Sequence, residues 1–283
     1  MAKQSQSSIN IQDTINSGQL FLWSRYDTKW YLTNGDDILL VDEKGPFSIS
    51  SLQRNEFDLF RITDDFERII SELSRDKILK DAITRFPGLR LTRQDPFQCY
   101  ISFIVSSNSS IQNIRLALQK MAKKFGKKVT FDSIEFHAFP TPERLAKATI
   151  SELSSCGLGY RSKFVKNAAK MVKEDQIDFD SLKKQSYQTA KSELLQVDGI
   201  GNKVADCIML FSLEKTEAFP LDRWIVRSLQ SYYGDQFSIE GKTLTDKKYQ
   251  AIHDKTVDYF GQYAGYSQQF LFKLIRESNQ KKW

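Results

Sequence analysis

The chain has few of the residues that usually build metal centres and disulfides. Its 283 residues include two histidines and three cysteines, Cys99, Cys156 and Cys207. The cysteines are scattered and form no Cys-x-x-Cys pair, so a zinc site, an iron–sulfur cluster and a disulfide framework are not expected. Free cysteines in an odd number favour a reducing compartment.

Long apolar runs are also absent, and the opening residues MAKQSQSSIN contain no apolar stretch of a secretory signal. We therefore expect neither a membrane helix nor a signal peptide. Apolar residues make up 40% of the chain, which suffices for a core, and the net charge is +6. Positive charge attracts polyanions, and the sequence has no strongly basic amphipathic segment for a membrane surface. Nucleic acid is therefore a candidate partner.

The pattern of apolar and turn residues changes along the chain. Segments 20–23, 29–33 and 38–41 predict short strands, with Asn34-Gly35 as a hairpin turn. Residues 51–85 show helical periodicity, and Asp95-Pro96 begins a long helical region. Later helices are predicted at 151–156, 162–173, 188–196, 202–214, 222–233, 245–260 and 266–276. The sequence predicts an α+β fold, with an N-terminal antiparallel β-sheet domain at 1–93 and an all-α domain at 94–283.

The segment from 194 to 227 carries the most informative pattern. A helix ends near Gln196, the glycine-containing turn 197–201 follows, and a second helix begins at Asn202 or Lys203. This pattern predicts a helix–hairpin–helix at about 188–214. Such a turn leaves backbone N–H groups at a helix N-terminus free to bind a DNA phosphate, through Gly199 and Gly201.

Two side chains near this hairpin suit glycosidic chemistry. Lys203 opens the second helix, and Asp222 follows a turn at Pro220. A desolvated lysine can attack an anomeric carbon, and a carboxylate stabilises the positive charge that builds on the sugar. The resulting Schiff base permits β-elimination and strand scission. Taken singly, each residue has an ordinary interpretation, a solvated surface lysine and an N-capping aspartate.

At these positions the sequence resembles the helix–hairpin–helix Gly/Pro–Asp superfamily of base-excision glycosylases, and within it the 8-oxoguanine DNA glycosylase/AP lyase family. The resemblance covers nearly the whole chain, and the matching segments follow the family's order: Ser17–Trp23, Leu91–Pro96, Ser106–Asn108, Leu158–Arg161, Gly201–Cys207 and Tyr263–Gln268. It implies a bifunctional enzyme that excises 8-oxoguanine from DNA in base-excision repair. Lys203 would be the Schiff-base nucleophile and Asp222 the essential carboxylate.

The resemblance also implies how the damaged base is held. The Gly18 carbonyl would accept from the N7–H that oxidised guanine has and normal guanine lacks. Gln268 would bond the pairing edge, with Phe272 and Cys207 on the two faces of the base. Without the resemblance, Phe272 would be interpreted as a core aromatic and Gly18 as part of an ordinary turn.

Other implied residues would contact the duplex. Tyr160 would wedge into the gap left by the extruded nucleotide, and Arg161 and Asn108 would contact the orphaned base. Better-known members carry Asn-Asn-Asn and a following Arg where this chain has Asn108-Ser109-Ser110 and Asn113. This departure predicts weaker discrimination for cytosine opposite the lesion.

A second departure is Trp224, which stands where those members have a histidine two residues after the aspartate. One phosphate or active-site contact is therefore altered.

The resemblance implies no cofactor and no catalytic metal, although the carbonyls of Leu195, Val197 and Ile200 would bind a structural cation. The expected partner is double-stranded DNA containing oxidised guanine, without a membrane, and the expected state is a monomer. The enzyme would act inside the cell with the DNA, in the cytoplasm or nucleoid of a prokaryote or the nucleus of a eukaryote.

Two alternatives stay open at this point. One is a glycosylase for another damaged purine, such as an alkylated or ring-opened base. The other is a non-catalytic helix–hairpin–helix module that only binds DNA.

Overall fold

The chain forms two compact units from segments that alternate along the sequence. The computed structural model describes residues 9–44, 48–53, 58–237, 239 and 244–279. The terminal unit contains the described residues of Met1–Gln19, Asp58–Arg93 and Met209–Trp283. The central unit contains those of Leu20–Phe57 and Gln94–Ile208.

Helices predominate after an early group of strands. In chain order the elements are α1 (Ile11–Ile15), β1 (Trp23–Tyr26), β2 (Lys29–Asn34), β3 (Asp37–Asp42), β4 (Ile49–Ser51), α2 (Phe66–Leu73), α3 (Lys77–Arg85), α4 (Pro96–Val105), α5 (Ile111–Phe125), β5 (Lys128–Phe131), β6 (Ile134–His137), α6 (Pro142–Lys147), α7 (Ile150–Ser155), α8 (Arg161–Lys173), α9 (Phe179–Lys184), α10 (Tyr187–Leu194), α11 (Asn202–Ser212), α12 (Arg223–Tyr233), α13 (Asp246–Phe260), a 3₁₀ turn (Gly261–Tyr263) and α14 (Ala264–Ser278).

The central unit contains a four-stranded antiparallel sheet in the order β1-β2-β3-β4. Asn34 pairs with Asp37 across the β2–β3 hairpin, as the Asn-Gly turn predicts. Trp30 and Leu32 lie two residues apart on one strand, and each is 1% exposed. Because side chains alternate between faces, this face of the sheet belongs to the core.

Helix α4 is the buried helix of the central unit. Asp95 caps it by accepting from the Gln98 N–H at 2.7 Å, and Pro96 occupies the first helical position. Every residue from Phe97 to Val105 is buried. A helix that is apolar on all sides belongs inside the core, and α4 packs against α5 and α8.

In the terminal unit, α14 packs against α3, α12 and α13. An ionic network lies in the same unit, where the Arg93 guanidinium contacts Asp58 at 2.9 Å, Asp64 at 3.4 Å and Glu214 at 2.8 Å. The Tyr266 hydroxyl on α14 donates to Asp64 at 2.9 Å. These contacts join segments that are far apart in the sequence.

The α+β class is confirmed, and β2 and β3 match the strands predicted at 29–33 and 38–41. The strand predicted at 20–23 is shifted, because β1 begins at Trp23. Residues 20–22 are buried ahead of it, and the Leu22 carbonyl already accepts from the Thr33 N–H of β2 at 3.1 Å. Among the described residues of 51–85, the first helix is α2, which begins at Phe66. The short elements α1, β4, β5, β6 and α9 were not predicted.

The domain boundary predicted at 93/94 stays a prediction. Arg93 and Gln94 fall in different units, yet each unit contains segments from both sides of this position. Within the described ranges, no helix has the length and apolar content needed to cross a bilayer.

Candidate active site

The predicted helix–hairpin–helix is formed by α10 and α11 with a short turn between them. Gly199 in this turn has φ +90°, in the left-handed region that favours glycine. A Cβ built at Gly199 would lie 2.7 Å from Cγ of Phe164, so the turn also lacks space for a side chain. Helix α11 begins at Asn202. The internal hydrogen bonds of an α-helix do not use the N–H groups of its first turn. This end of the helix suits a phosphate.

Lys203 is half-buried in the first turn of α11. Its Nζ lies 5.2 Å from the ring centroid of Phe103, which is on α4 and 2% exposed. This distance is within the range of a cation–π contact. Cys207 follows one turn later and is buried. The amine is therefore held against apolar surface and is not a fully solvated lysine.

Tyr160, Arg161 and Asn108 lie together in the central unit. The Arg161 guanidinium donates from Nε to the Ser107 carbonyl at 2.7 Å and from Nη2 to the Asn108 carbonyl at 3.0 Å. It also lies 4.6 Å from the Tyr160 ring centroid. Tyr160 is 56% exposed, and its ring contacts Phe164, which also lies against Gly199. The structure thus brings the predicted wedge residue close to the hairpin turn.

The carbonyls predicted to hold a structural cation belong to the turn after α10. Neutral carbonyl oxygens are the ligands of hard cations, and the Val197 carbonyl accepts one hydrogen bond, from the Ile200 N–H at 3.0 Å. A carbonyl oxygen has two lone pairs, so these residues fit such an ion. The cation stays a prediction.

Asp222 lies in the terminal unit and caps α12, as the sequence predicts. Its Oδ1 accepts from the N–H groups of Trp224 at 2.9 Å and Ile225 at 2.8 Å. The side chain is half-buried. Two backbone donors at a helix N-terminus stabilise the ionised carboxylate and fix its position.

Gln268 on α14 is 5% exposed. Its Nε2 donates to the Pro220 carbonyl at 3.3 Å, whereas its Oε1 has no hydrogen-bond partner within the described residues. Buried acceptors are normally bonded, so this oxygen marks a place where a ligand or water can donate. Phe272 lies one turn further along α14 and is half-buried.

Gly18 precedes the sheet and has φ +81°. Its neighbour Ser17 accepts through its carbonyl from Gln269 Nε2 at 2.9 Å. This bond joins the Gly18 segment to the helix that carries Gln268 and Phe272.

The predicted residues therefore form two groups. The carboxylate cluster of the terminal unit consists of Gly18, Asp222, Gln268 and Phe272. The lysine cluster of the central unit consists of Asn108, Tyr160, Arg161, Gly199, Gly201, Lys203 and Cys207. Three further contact residues were missed by sequence reasoning, namely Phe103, Phe164 and Arg276. The only sequence signal among them is the spacing of Arg276, four residues after Phe272.

Two family models match the chain. Residues 101–252 match the family model described as HhH-GPD superfamily base excision DNA repair protein. Residues 1–100 match the 8-oxoguanine DNA glycosylase, N-terminal domain.

Individual proteins are also similar to this chain. The chain is 31% identical to a probable N-glycosylase/DNA lyase of Methanothermobacter thermautotrophicus, over 78% of this chain and 73% of that protein. It is 27% identical to the N-glycosylase/DNA lyase OGG1 of Arabidopsis thaliana, over 95% and 78% respectively. A solved Clostridium acetobutylicum 8-oxoguanine glycosylase/lyase, in complex with DNA containing cytosine opposite 8-oxoG, is 30% identical with a TM-score of 0.86, covering 96% of this chain and 93% of that one. The chain belongs to the HhH-GPD superfamily of base excision DNA repair proteins and, within it, to the 8-oxoguanine DNA glycosylase family.

Proposed function

We propose that the chain is a bifunctional DNA glycosylase and AP lyase that excises 8-oxoguanine from double-stranded DNA in base-excision repair. The observation that carries this proposal is the half-buried Lys203 in the first turn of the hairpin helix of a chain in this family. The related proteins named above are N-glycosylase/DNA lyases, which supports both activities. The enzyme would act wherever the cell keeps its DNA, and as a monomer.

Lys203 supplies the nucleophile and Asp222 the carboxylate. As the bond from C1′ to the base breaks, its electron pair leaves with the base, and the Asp222 carboxylate stabilises the positive charge on the sugar. The Lys203 amine attacks C1′ through its nitrogen lone pair, and one of its N–H protons passes to O4′ as the sugar ring opens, which gives the Schiff base. Loss of a C2′ proton then expels the 3′ phosphate, which cleaves the strand.

Base recognition uses the remaining residues of the carboxylate cluster together with Cys207. The N1–H and exocyclic amine of 8-oxoguanine are donors, and the buried Gln268 Oε1 is an acceptor without a protein partner in the described structure. The Gly18 carbonyl accepts from N7–H, whereas normal guanine would present a second acceptor there. Phe272 and Cys207 enclose the two faces of the base.

DNA is held by contacts that carry little sequence information. Backbone N–H groups near Gly199 and Gly201 bind a phosphate. The exposed Tyr160 ring fills the gap in the duplex, with Arg161 and Asn108 beside the orphaned base.

Borohydride trapping on a duplex that contains 8-oxoguanine tests the proposal. We expect a covalent adduct with the wild type and with Lys184→Gln, a control at an exposed lysine of α9. The adduct should disappear in Lys203→Gln. An adduct that persists in Lys203→Gln would identify a different nucleophile, and a wild type that yields neither adduct nor free base would point to a DNA-binding module. Parallel duplexes with alkylated or ring-opened purines test the other glycosylase alternative.

A further inference from the structure

The Arg276 guanidinium lies near two aromatic rings of the terminal unit. Its guanidinium carbon lies 5.2 Å from the ring centroid of Trp224 on α12 and 5.8 Å from that of Phe272 on α14. Both distances are within the cation–π range of about 6 Å. The backbone N–H of Trp224 donates to Asp222 Oδ1. Phe272 is proposed to stack on the base. Arg276 therefore contacts Phe272 directly, and it contacts Trp224, which is bonded to Asp222.

The charge on Arg276 also interacts with Asp222. Burial lowers the pKa of the guanidinium, and the Asp222 carboxylate opposes that shift. An arginine keeps its proton at any working pH, so a permanent positive charge lies within electrostatic range of the carboxylate. Such a charge favours the ionised carboxylate, which is the form that stabilises a cationic sugar.

We propose that Arg276 is a positioning residue for base excision, which acts through Phe272 and Asp222. The guanidinium lies within cation–π range of the Phe272 ring and restricts its rotamers before the base arrives, so the aromatic surface for the base is preorganised. The same group contacts the Trp224 ring, whose backbone N–H holds Asp222, and so places a positive charge near that carboxylate. This inference rests on the proposed function and adds to it a residue that touches no reacting atom.

A purely structural role is the main alternative. Arg276 lies in the last turn of α14, where a cation interacts favourably with the helix dipole. A structural role would weaken the fold and therefore both activities together. A positioning role would slow base release and spare β-elimination at a site that already lacks a base, because neither Phe272 nor Asp222 is needed after the base has left.

The experiment measures these two steps separately in Arg276→Met and Arg276→Lys. Single-turnover excision is followed on an 8-oxoguanine duplex with saturating enzyme, and strand cleavage is followed on a preformed abasic duplex. We expect Arg276→Met to slow excision by about 10-fold to 100-fold, the scale of a small misplacement in an active site. Strand cleavage should stay within about twofold. Arg276→Lys should recover part of the excision rate, because it keeps the charge but loses the planar stacking surface.

Arg85→Met is the matched control, because Arg85 is an exposed arginine in the last turn of α3. It should match the wild type in both assays. Unchanged excision in Arg276→Met would overturn the inference, and so would a parallel loss of both activities with a lowered melting temperature. If Arg276→Met does not fold, the rates of excision and strand cleavage in Arg276→Lys distinguish the two roles in the same way. A wild type inactive on both duplexes would instead refute the proposed function, and this inference with it.

Discussion

Asp222 combines two roles that are usually found in different residues. As the N-cap of α12 it accepts two backbone hydrogen bonds, and as the proposed catalytic carboxylate it must carry a negative charge. Asparagine caps a helix about as well as aspartate but carries no charge. We therefore expect Asp222→Asn to keep the melting temperature and to lose about 10²–10³-fold in the rate of base excision.

Asp222→Ala is the comparison that separates these roles. It removes the cap as well, so it should lower the free energy of unfolding by about 0.5–2 kcal/mol in addition to the loss of activity. Thermal melting and single-turnover excision measure the two effects. Equal melting temperatures for the two variants would contradict the capping role, and an active Asp222→Asn would contradict the catalytic one.

Gln268 makes the opposite prediction for stability. A buried acceptor without a partner costs about 1–3 kcal/mol. Replacing Gln268 by an apolar side chain of similar size removes that cost for Oε1, which offsets the loss of the 3.3 Å bond from Nε2 to the Pro220 carbonyl. We expect Gln268→Leu to melt at or above the wild-type temperature while excision of 8-oxoguanine falls by at least about tenfold. A destabilised variant with normal excision would show that the amide has a structural role.

Sequence reasoning was effective for residues whose chemistry is local. The position of Asp222 before α12 follows from the Pro220 turn and the capping preference of aspartate, and Lys203 follows from the hairpin pattern. The contacts of Lys203 with Phe103 and of Arg276 with Trp224 could not be predicted. Each joins different helices, and periodicity shows which face of a helix is buried but not which residue lies against it.

Among the elements, the hairpin turn depends on a conformation that a single methyl group disturbs. In Gly199→Ala the new Cβ would meet Phe164, and a left-handed alanine costs about 1–2 kcal/mol. Gly201→Ala is the matched variant, because a Cβ there meets nothing within 4 Å. We expect Gly199→Ala to lower both the melting temperature and the affinity for DNA. Gly201→Ala should keep the melting temperature, so any loss of affinity reports on the phosphate contact, and equal destabilisation of both variants would refute this account.

We expect the loop between α4 and α5 to govern the choice of opposite base. The Ser110 hydroxyl accepts from the Asn113 N–H as the N-cap of α5, and Arg161 already donates to the Ser107 and Asn108 carbonyls. Donors for reading the cytosine are thus few, and Asn113 is shorter than an arginine. We expect excision rates opposite the four bases to agree within about tenfold, since one missing base contact is worth about 1–3 kcal/mol. A strong preference for cytosine in single-turnover assays would contradict this.

Elements with sustained helical periodicity were predicted within a few residues, whereas short ones were not. Helices α10 to α14 match their predicted spans closely, and Asp95-Pro96 marks the start of α4. The β5–β6 hairpin was missed because its four-residue strands are half-exposed and weakly patterned. The strand predicted at 20–23 was placed too early, since the composition of a short buried run does not show at which residue pairing begins.

The construction of each unit from separate segments of the chain could not be predicted from the sequence, for a related reason. Arg93 and Glu214 form an ion pair across a long stretch of chain, and nothing in either local sequence identifies the partner. Contacts of this kind bring the segments 58–93 and 209–283 into one unit. A domain boundary inferred from a change of periodicity cannot detect them.

This network also makes the stability of the whole molecule depend on pH. Burial would raise the pKa of Glu214, but its bonds to Arg93 and the charge of Arg61 outweigh burial and leave the pKa lowered. A carboxyl whose folded pKa lies below its unfolded value of about 4.3 stabilises the fold above that pH, and this stability is lost as pH falls through the folded value. The melting temperature should therefore fall steeply below about pH 4.

Glu214→Gln should remove part of that acid dependence. Because Glu214 is 35% exposed, solvent screens the pair, and we expect a loss on the order of 1–2 kcal/mol in the free energy of unfolding at neutral pH. The difference from the wild type should shrink as the pH approaches 3, where the wild-type carboxyl also becomes neutral. Asp81→Asn, which breaks the exposed pair with Arg85, is the control and should change stability by less than about 0.5 kcal/mol. Parallel melting curves for Glu214→Gln and the wild type from neutral pH to pH 3 would show that the ion pair contributes nothing to holding the discontinuous unit together.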